Sequence, residues 1–224
     1  MPPTRQSALG TRRFRPAILL TLGFLAFSAG CQVGYFLTTS DEKEVKADYG
    51  RIGDRKVAVL VWADQATLDE DPNVRKRICR SITYYLKKNL PGGETIPAEK
   101  VEALQERGSR EWEDMSTREL CDRLNCDMVL RIDLLEYTTR AGNTPELRKG
   151  RIRATVNLYY GKPDAGREAV YQTEVVTDYP PRAAHGVPDL NEADLLHETI
   201  EHFAEVTARK FYDHKESLRG PSDR

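Results

Sequence analysis

Histidine and cysteine are scarce in this chain, four of each in 224 residues. The cysteines stand at positions 31, 79, 121 and 126, without a Cys-x-x-Cys pair or any paired zinc spacing, so the common zinc modules and dithiol redox motifs are excluded. Gly-x-Gly-x-x-Gly, the P-loop pattern and the Gly-x-Ser-x-Gly elbow are missing as well, which removes the usual signatures of dinucleotide binding, nucleotide phosphate binding and serine hydrolysis. An excess of one charge is lacking too: 34 Lys and Arg face 35 Asp and Glu, a formal charge of −1. Four of the cations, Arg5, Arg12, Arg13 and Arg15, precede residue 30, where there is no acid; 34 less these four leaves 30 against 35, or −5. A body at −5 has no global attraction to phosphate, so nucleic acid is not an expected partner.

What stands out is the head. A basic flank, TRRFRP, precedes an apolar run, AILLTLGFLAFSAG, which ends at Cys31. A charged flank, a short apolar region and small residues before a cleavage point are the parts of a bacterial secretory signal. Ser28-Ala29-Gly30-Cys31 resembles the lipobox of bacterial lipoproteins, departing from the common Leu only at Ser28. That resemblance implies a diacylglyceryl thioether on Cys31, with cleavage before it. Each buried CH₂ of such chains contributes about 0.8 kcal/mol to membrane binding. Two alternatives stay open. Uncleaved, residues 17–37 carry no charge and reach about the 20 residues that a single span requires, with the domain outside. Cleaved without lipid, the chain is freely secreted. Gln32 is not the Asp that marks inner-membrane retention in proteobacteria, which favours the outer membrane.

The expected layout is a signal at 1–30, a lipidated start and polar tether at 31–55, one α/β domain at 56–214 and a polar tail at 215–224. KVAVLVW at Lys56–Trp62 is a continuous Val-rich run, as in a strand covered on both faces. Asp71 and Pro72 look like the cap and first residue of a helix, whose stripe is Val74, Ile78, Ile82, Tyr85 and Leu86. The cations Arg75, Lys76, Arg77, Arg80, Lys87 and Lys88 fall mostly on its other face and read as solvated. ETIPAEKVEALQER reads as a short strand entering a helix at Pro97, and STRE at 116–119 is a capping box. CDMVLRIDLLEY reads as a strand. In RIRATVNLYY, Ile152, Ala154, Val156 and Leu158 alternate with Arg151, Arg153, Thr155 and Asn157, as in a strand with one wet face in an antiparallel pair. EAVYQTEVV reads as its return strand. A last helix is expected over about 191–213, with Leu196, Thr199, Ile200, Phe203, Val206 and Phe211 inward. The fold class is α/β (α+β): a mixed sheet, order β-α-β-α-α-β-β-β-α, with helices packed on it.

This order, with LNCDMVLRIDL leading into a strand and RATVNLYY…REAVYQTEV as a hairpin, resembles the periplasmic α/β domains typified by the TolB N-terminal domain and the curli-secretion lipoprotein. Cys126 stands where those have Ala and Asp133 where they have Gly. DYPPR…FAEVTARKFYDH is closer to uncharacterised lipoproteins of planctomycete-type bacteria. The resemblance spans about residues 56–214 and implies envelope assembly, partner docking or a secretion accessory role, with an envelope protein as partner. It transfers no catalytic residue and no cofactor.

The candidates for chemistry are few. His197 and His202 in HETIEH are five residues apart, about 140° around a helix, so one helix cannot aim both at one metal. His185 and His214 have no ligand cluster in sequence. Asp64 and Asp133 lie at strand ends and are the acids an envelope hydrolase would use, the alternative to a binding protein. Cys121 and Cys126, Cys-x₄-Cys across a helix end, can bridge in an oxidising compartment or stay as small buried side chains beside Cys79. Two loops suit docking: residues 138–150, and residues 178–189 with Tyr179, Pro180, Pro181 and Arg182. A secretion-pore subunit needs long amphipathic hairpins, and 138–150 is too polar and too short for one. The expectation is therefore a non-enzymatic, membrane-tethered module that binds an envelope protein and uses no cofactor or metal.

Overall fold

The computed structural model describes residues 42–106, 111–140, 148–161, 168–181 and 191–217. Cys31, the expected signal, Gln32, Arg182 and His185 lie outside them. The chain divides into a small unit, residues 1–43 with 215–224, and a large one, residues 44–214. In the small unit Lys215 pairs with Glu42 at 3.1 Å. Strand β1 (Glu42–Val45) and the last described strand (His214–Ser217) form a two-stranded sheet.

The large unit holds the α/β fold. Strand β2 (Lys56–Trp62) is followed by helices α1 (Gln65–Glu70) and α2 (Val74–Asn89). Strand β3 (Glu94–Thr95) leads to helices α3 (Ala98–Glu106), α4 (Glu111–Asp114) and α5 (Thr117–Leu124). Strands β4 (Met128–Arg140), β5 (Arg148–Tyr160) and β6 (Tyr171–Tyr179) run on to helix α6 (Glu192–Arg209), and the last strand is β7. The sheet order is β3-β2-β4-β5-β6. β3, β2 and β4 are parallel, and β5 and β6 are antiparallel to their neighbours. It is a mixed five-stranded sheet with helices packed on it, the α/β class the sequence pattern implies.

Burial follows that pattern. Val57, Ala58, Val59, Leu60 and Val61 are all buried, because β2 is central and covered on both faces. On β5, Ile152, Ala154, Val156 and Leu158 are fully buried while Arg151, Arg153 and Thr155 are half-exposed. Asn157 departs from the expected wet face: it is buried and donates to Asp133 at 3.2 Å. Helices α2 and α6 pack on one another and on the inward face of the sheet. Each buried Ile, Leu or Phe there contributes about 1.5–3 kcal/mol relative to exposure.

Several expectations are corrected. Asp71 does not cap α2. Asn73 holds that position, because the Asp71 carboxylate accepts the Asn73 amide at 3.1 Å and folds the chain into a turn first. Asp64 caps the unforeseen α1 instead, accepting the Thr67 amide at 2.8 Å. The strip from 44 to 55 is no tether: Ile52 is fully buried and the Tyr49 amide bonds the Lys210 carbonyl at 2.9 Å. Leu195, not Leu196, is buried on α6, which ends at Arg209. The loop expected over 138–150 is shortened, since β4 and β5 stay paired out to Arg140 and Arg148.

Candidate functional site

Around β2 both faces of the sheet are covered. Trp62 turns away from α2 and donates its indole N–H to Glu113 of α4 at 3.2 Å. Toward β6 the sheet thins. The inward face of β4–β5–β6 lies under α6, while the outward face carries Arg131, Asp133 and Glu136 from β4, Arg151, Arg153 and Thr155 from β5, and Glu174, Val176 and Asp178 from β6. The alternating side chains of antiparallel strands bring these charges opposite one another.

They compensate each other. Arg131 bonds Asp133 at 2.7 Å. Arg151 reaches Glu136 and Asp178, both at 3.3 Å, and Lys149 meets Asp178 at 3.2 Å. Arg153 lies 3.7 Å from Glu136 and 3.9 Å from Glu174. Each such pair contributes about 0–1 kcal/mol. Their larger effect is on specificity, because a face that neutralises itself offers no net charge to steer a charged partner.

At the margin of that face the outer edge of β6 pairs with no strand among the described residues. An edge strand presents unpaired N–H and C=O groups, and proteins commonly guard such edges with Lys or Pro. The segment YQTEVVTDY contains neither. Val176 is 45% exposed and Val170, just before the strand, 39%. Glu174 and Asp178 are drawn sideways into the ion pairs with β5.

The sequence-selected residues are dispersed. Tyr179 ends β6 and turns inward, half-buried, with its ring 6.3 Å from His202; burial is the main cause of its raised pKa, with Glu198 beside it. Pro181 is exposed and Pro180 half-buried. Asp64 and Asp133 are not joined in a site: the first holds the α1 cap, the second is held by Arg131 and Asn157. His197 is exposed while His202 is half-buried, and burial lowers the His202 pKa. No cluster of metal-ligating side chains occurs among the described residues. Cys79 is buried, donates to the Val59 carbonyl at 3.2 Å, and has its pKa pushed up to about 12 by desolvation.

One cluster escaped the sequence reading. Asp71 accepts a 2.8 Å hydrogen bond from the Tyr137 hydroxyl and an ion pair from Arg77, Tyr137 lying on β4 past its last pairing with β2 at Asp133. Burial is the first cause, and the Asp71 bond the second, of a raised Tyr137 pKa. Asp71 and Tyr137 are 66 positions apart, and no spacing rule links them.

These elements define an α/β domain with a mixed sheet whose outward face carries exposed or half-exposed charges over β5 and β6. No family model and no curated protein matches the chain. Among solved structures it is similar to the PelC dodecamer from Paraburkholderia phytofirmans, at TM-score 0.45 and 12% identity over 76% of this chain and 98% of that one. It is also similar to the lipoprotein GNA1162 from Neisseria meningitidis, at TM-score 0.42 and 16% identity over 62% of this chain and 87% of that one. A third is the protein CT253 from Chlamydia trachomatis, at TM-score 0.35 and 12% identity over 66% and 95%.

Proposed function

We propose that this chain is an acyl-anchored envelope protein that faces the periplasm from the outer membrane and docks another envelope protein without doing chemistry of its own. The outer edge of β6, which pairs with no strand among the described residues and carries neither Lys nor Pro, supports this reading. An extended segment of a partner adds there as a further strand: backbone hydrogen bonds supply affinity, and alternate side chains beside Val176 and Gln172 set the register. The self-neutralised face next to it favours an uncharged or mixed-charge partner over an acidic or basic one. The sequence of residues 11–31 supports the anchor, and no helix among the described residues is long and apolar enough to cross a membrane. The separate hydrogen-bonding duties of Asp64 and Asp133 speak against the hydrolase alternative.

A photo-crosslinking residue placed at Gln172, exposed on β6, tests the docking edge in intact cells. A discrete adduct with one envelope protein is expected there and not from Tyr84, which is 56% exposed on α2. No adduct from Gln172, or equal adducts from both positions, overturns the assignment.

A further inference from the structure

We propose that Cys121 and Cys126 are a disulfide site, closing a six-residue loop where α5 turns into β4. Both are free thiols in the structure. Helix α5 ends at Asn125 in the left-handed conformation, φ 56° and ψ 54°. Short polar side chains tolerate that conformation better than most. The turn lets the Asn125 amide and the Cys126 amide, the latter at 3.0 Å, both bond the Cys121 carbonyl. This wrap of the helix end returns position 126 to the side of position 121. In a turn of this kind the side chain just past the left-handed residue commonly packs on the one whose carbonyl it caps, here Cys126 on Cys121.

The surroundings hold this arrangement. The Asp127 amide bonds the Lys56 carbonyl at 2.9 Å, and its carboxylate accepts the Lys56 amide at 2.8 Å. The Gly161 amide donates to the Asp127 carbonyl at 3.0 Å. Gly161 also makes room for Cys121: a Cβ on Gly161 would lie 2.5 Å from the Cys121 Cβ. The turn is thereby tied to the start of β2 and the end of β5. Residues 121 and 126 are set by contacts that do not involve sulfur.

The two thiols are unequal. Cys121 is buried and Cys126 half-buried. The partner thiol is the first cause of each shift, lowering the pKa of Cys126 and raising that of Cys121. Cys126 is therefore the entry point. Its thiolate attacks one sulfur of an exchangeable low-molecular-weight or protein disulfide, forming a mixed disulfide and expelling one thiolate. Cys121 then gives up its proton to solvent and attacks the Cys126 sulfur, expelling the second thiolate. The pair is oxidised by two electrons and the oxidant is reduced to two thiols. Cys79 stays out of this exchange, bonded to Val59 beneath α2.

The pairing belongs to the folded domain and does not depend on the anchor, so it is tested on the full-length chain in detergent with oxidised glutathione. After acid quenching, alkylation and trypsin digestion, cleavage at Arg118, Arg123 and Arg131 places the two cysteines on separate peptides. Peptide 119–123 is expected to be disulfide-linked to peptide 124–131, and Tm is expected to rise on oxidation. Cys121→Ser should abolish that rise, and Cys79→Ser should keep it. Alkyl groups on both cysteines after oxidation, or a bridge from either to Cys79 or to a second chain, overturn the proposal.

Discussion

Gly150 on β5 lies directly beneath Thr199 of α6: a Cβ built on the glycine would fall 2.7 Å from the Thr199 Cβ. Real Cβ atoms do not approach so closely. The Thr199 hydroxyl is already committed to the Leu195 carbonyl at 2.6 Å, within its own helix. Helix α6 can therefore sit on the sheet at its present distance only because position 150 has no side chain. Gly150→Ala is expected to push α6 off β5 and to destabilise the domain by about 1–3 kcal/mol, the usual cost of overpacking. Gly50→Ala is the control. Its new Cβ would meet Ala47 at an ordinary 3.8 Å, and the change in stability should stay within about 0.5 kcal/mol. Urea titration of the two variants checks the contrast, and equal midpoints would show that α6 is not seated through Gly150.

Acid should unfold this domain in two stages. His202 is half-buried on α6, facing Glu205 and Arg209 of its own helix and Tyr179 of β6. Burial lowers its folded pKa below the usual 6.5, so the unfolded chain binds the proton more readily. Stability from this group is complete above about 6.5 and is lost as pH falls toward the folded value. A second set is carboxylic. Asp64 is held down by Thr67, Glu106 by Lys76, Glu119 by Ser116 and Asp213 by Lys46, each below its usual 3.8 or 4.5. A carboxyl depressed in the folded state stabilises above its unfolded pKa and loses that contribution as pH drops through the folded one. Thermal melts between about pH 8 and pH 3 should therefore show Tm declining first from about 6.5 and again below about 4.5. His202→Gln should remove only the first decline, and an unchanged curve in that variant would refute the assignment.

The elements most legible in the sequence were those whose stability is local or set by one period. The Ser116–Glu119 capping box is such a case, with the Glu119 carboxylate on the Ser116 amide at 2.8 Å and the Ser116 hydroxyl on the Glu119 amide at 3.3 Å. The alternation of β5 and the continuous apolar run of β2 are two more. What misled was competition between local and distant partners. Asp71 before Pro72 has the form of a helix cap, yet its carboxylate is claimed by Arg77 and by Tyr137 on a strand far along the chain. Ile52 is one apolar residue in a polar stretch and gives no periodic signal, although it is fully buried. Asn157 follows the wet-face pattern of β5 but is buried by its bond to Asp133. The place of β6 at the edge of the sheet among the described residues was not readable at all, because sheet order depends on which strands meet across the chain, and no local pattern encodes that.

The anchor can be decided independently of the folded domain. The small residues before Cys31 and the basic flank before the apolar run predict acylation of the Cys31 sulfur, whereas retention of residues 1–30 would give a spanning helix and free secretion would give neither. Several acyl chains bind more firmly than one, since each buried CH₂ adds about 0.8 kcal/mol and a single chain holds only marginally. Cells grown with labelled palmitate should yield a labelled chain, and the intact mass should equal residues 31–224 plus lipid. Cys31→Ser should abolish the label, and because it removes the lipidated thiol without altering residues 44–214, the melting curve of the domain should not move. An unlabelled wild-type chain that still sediments with membranes and retains residues 1–30 would replace the acyl anchor with a spanning one, leaving the folded domain on the same side of the bilayer.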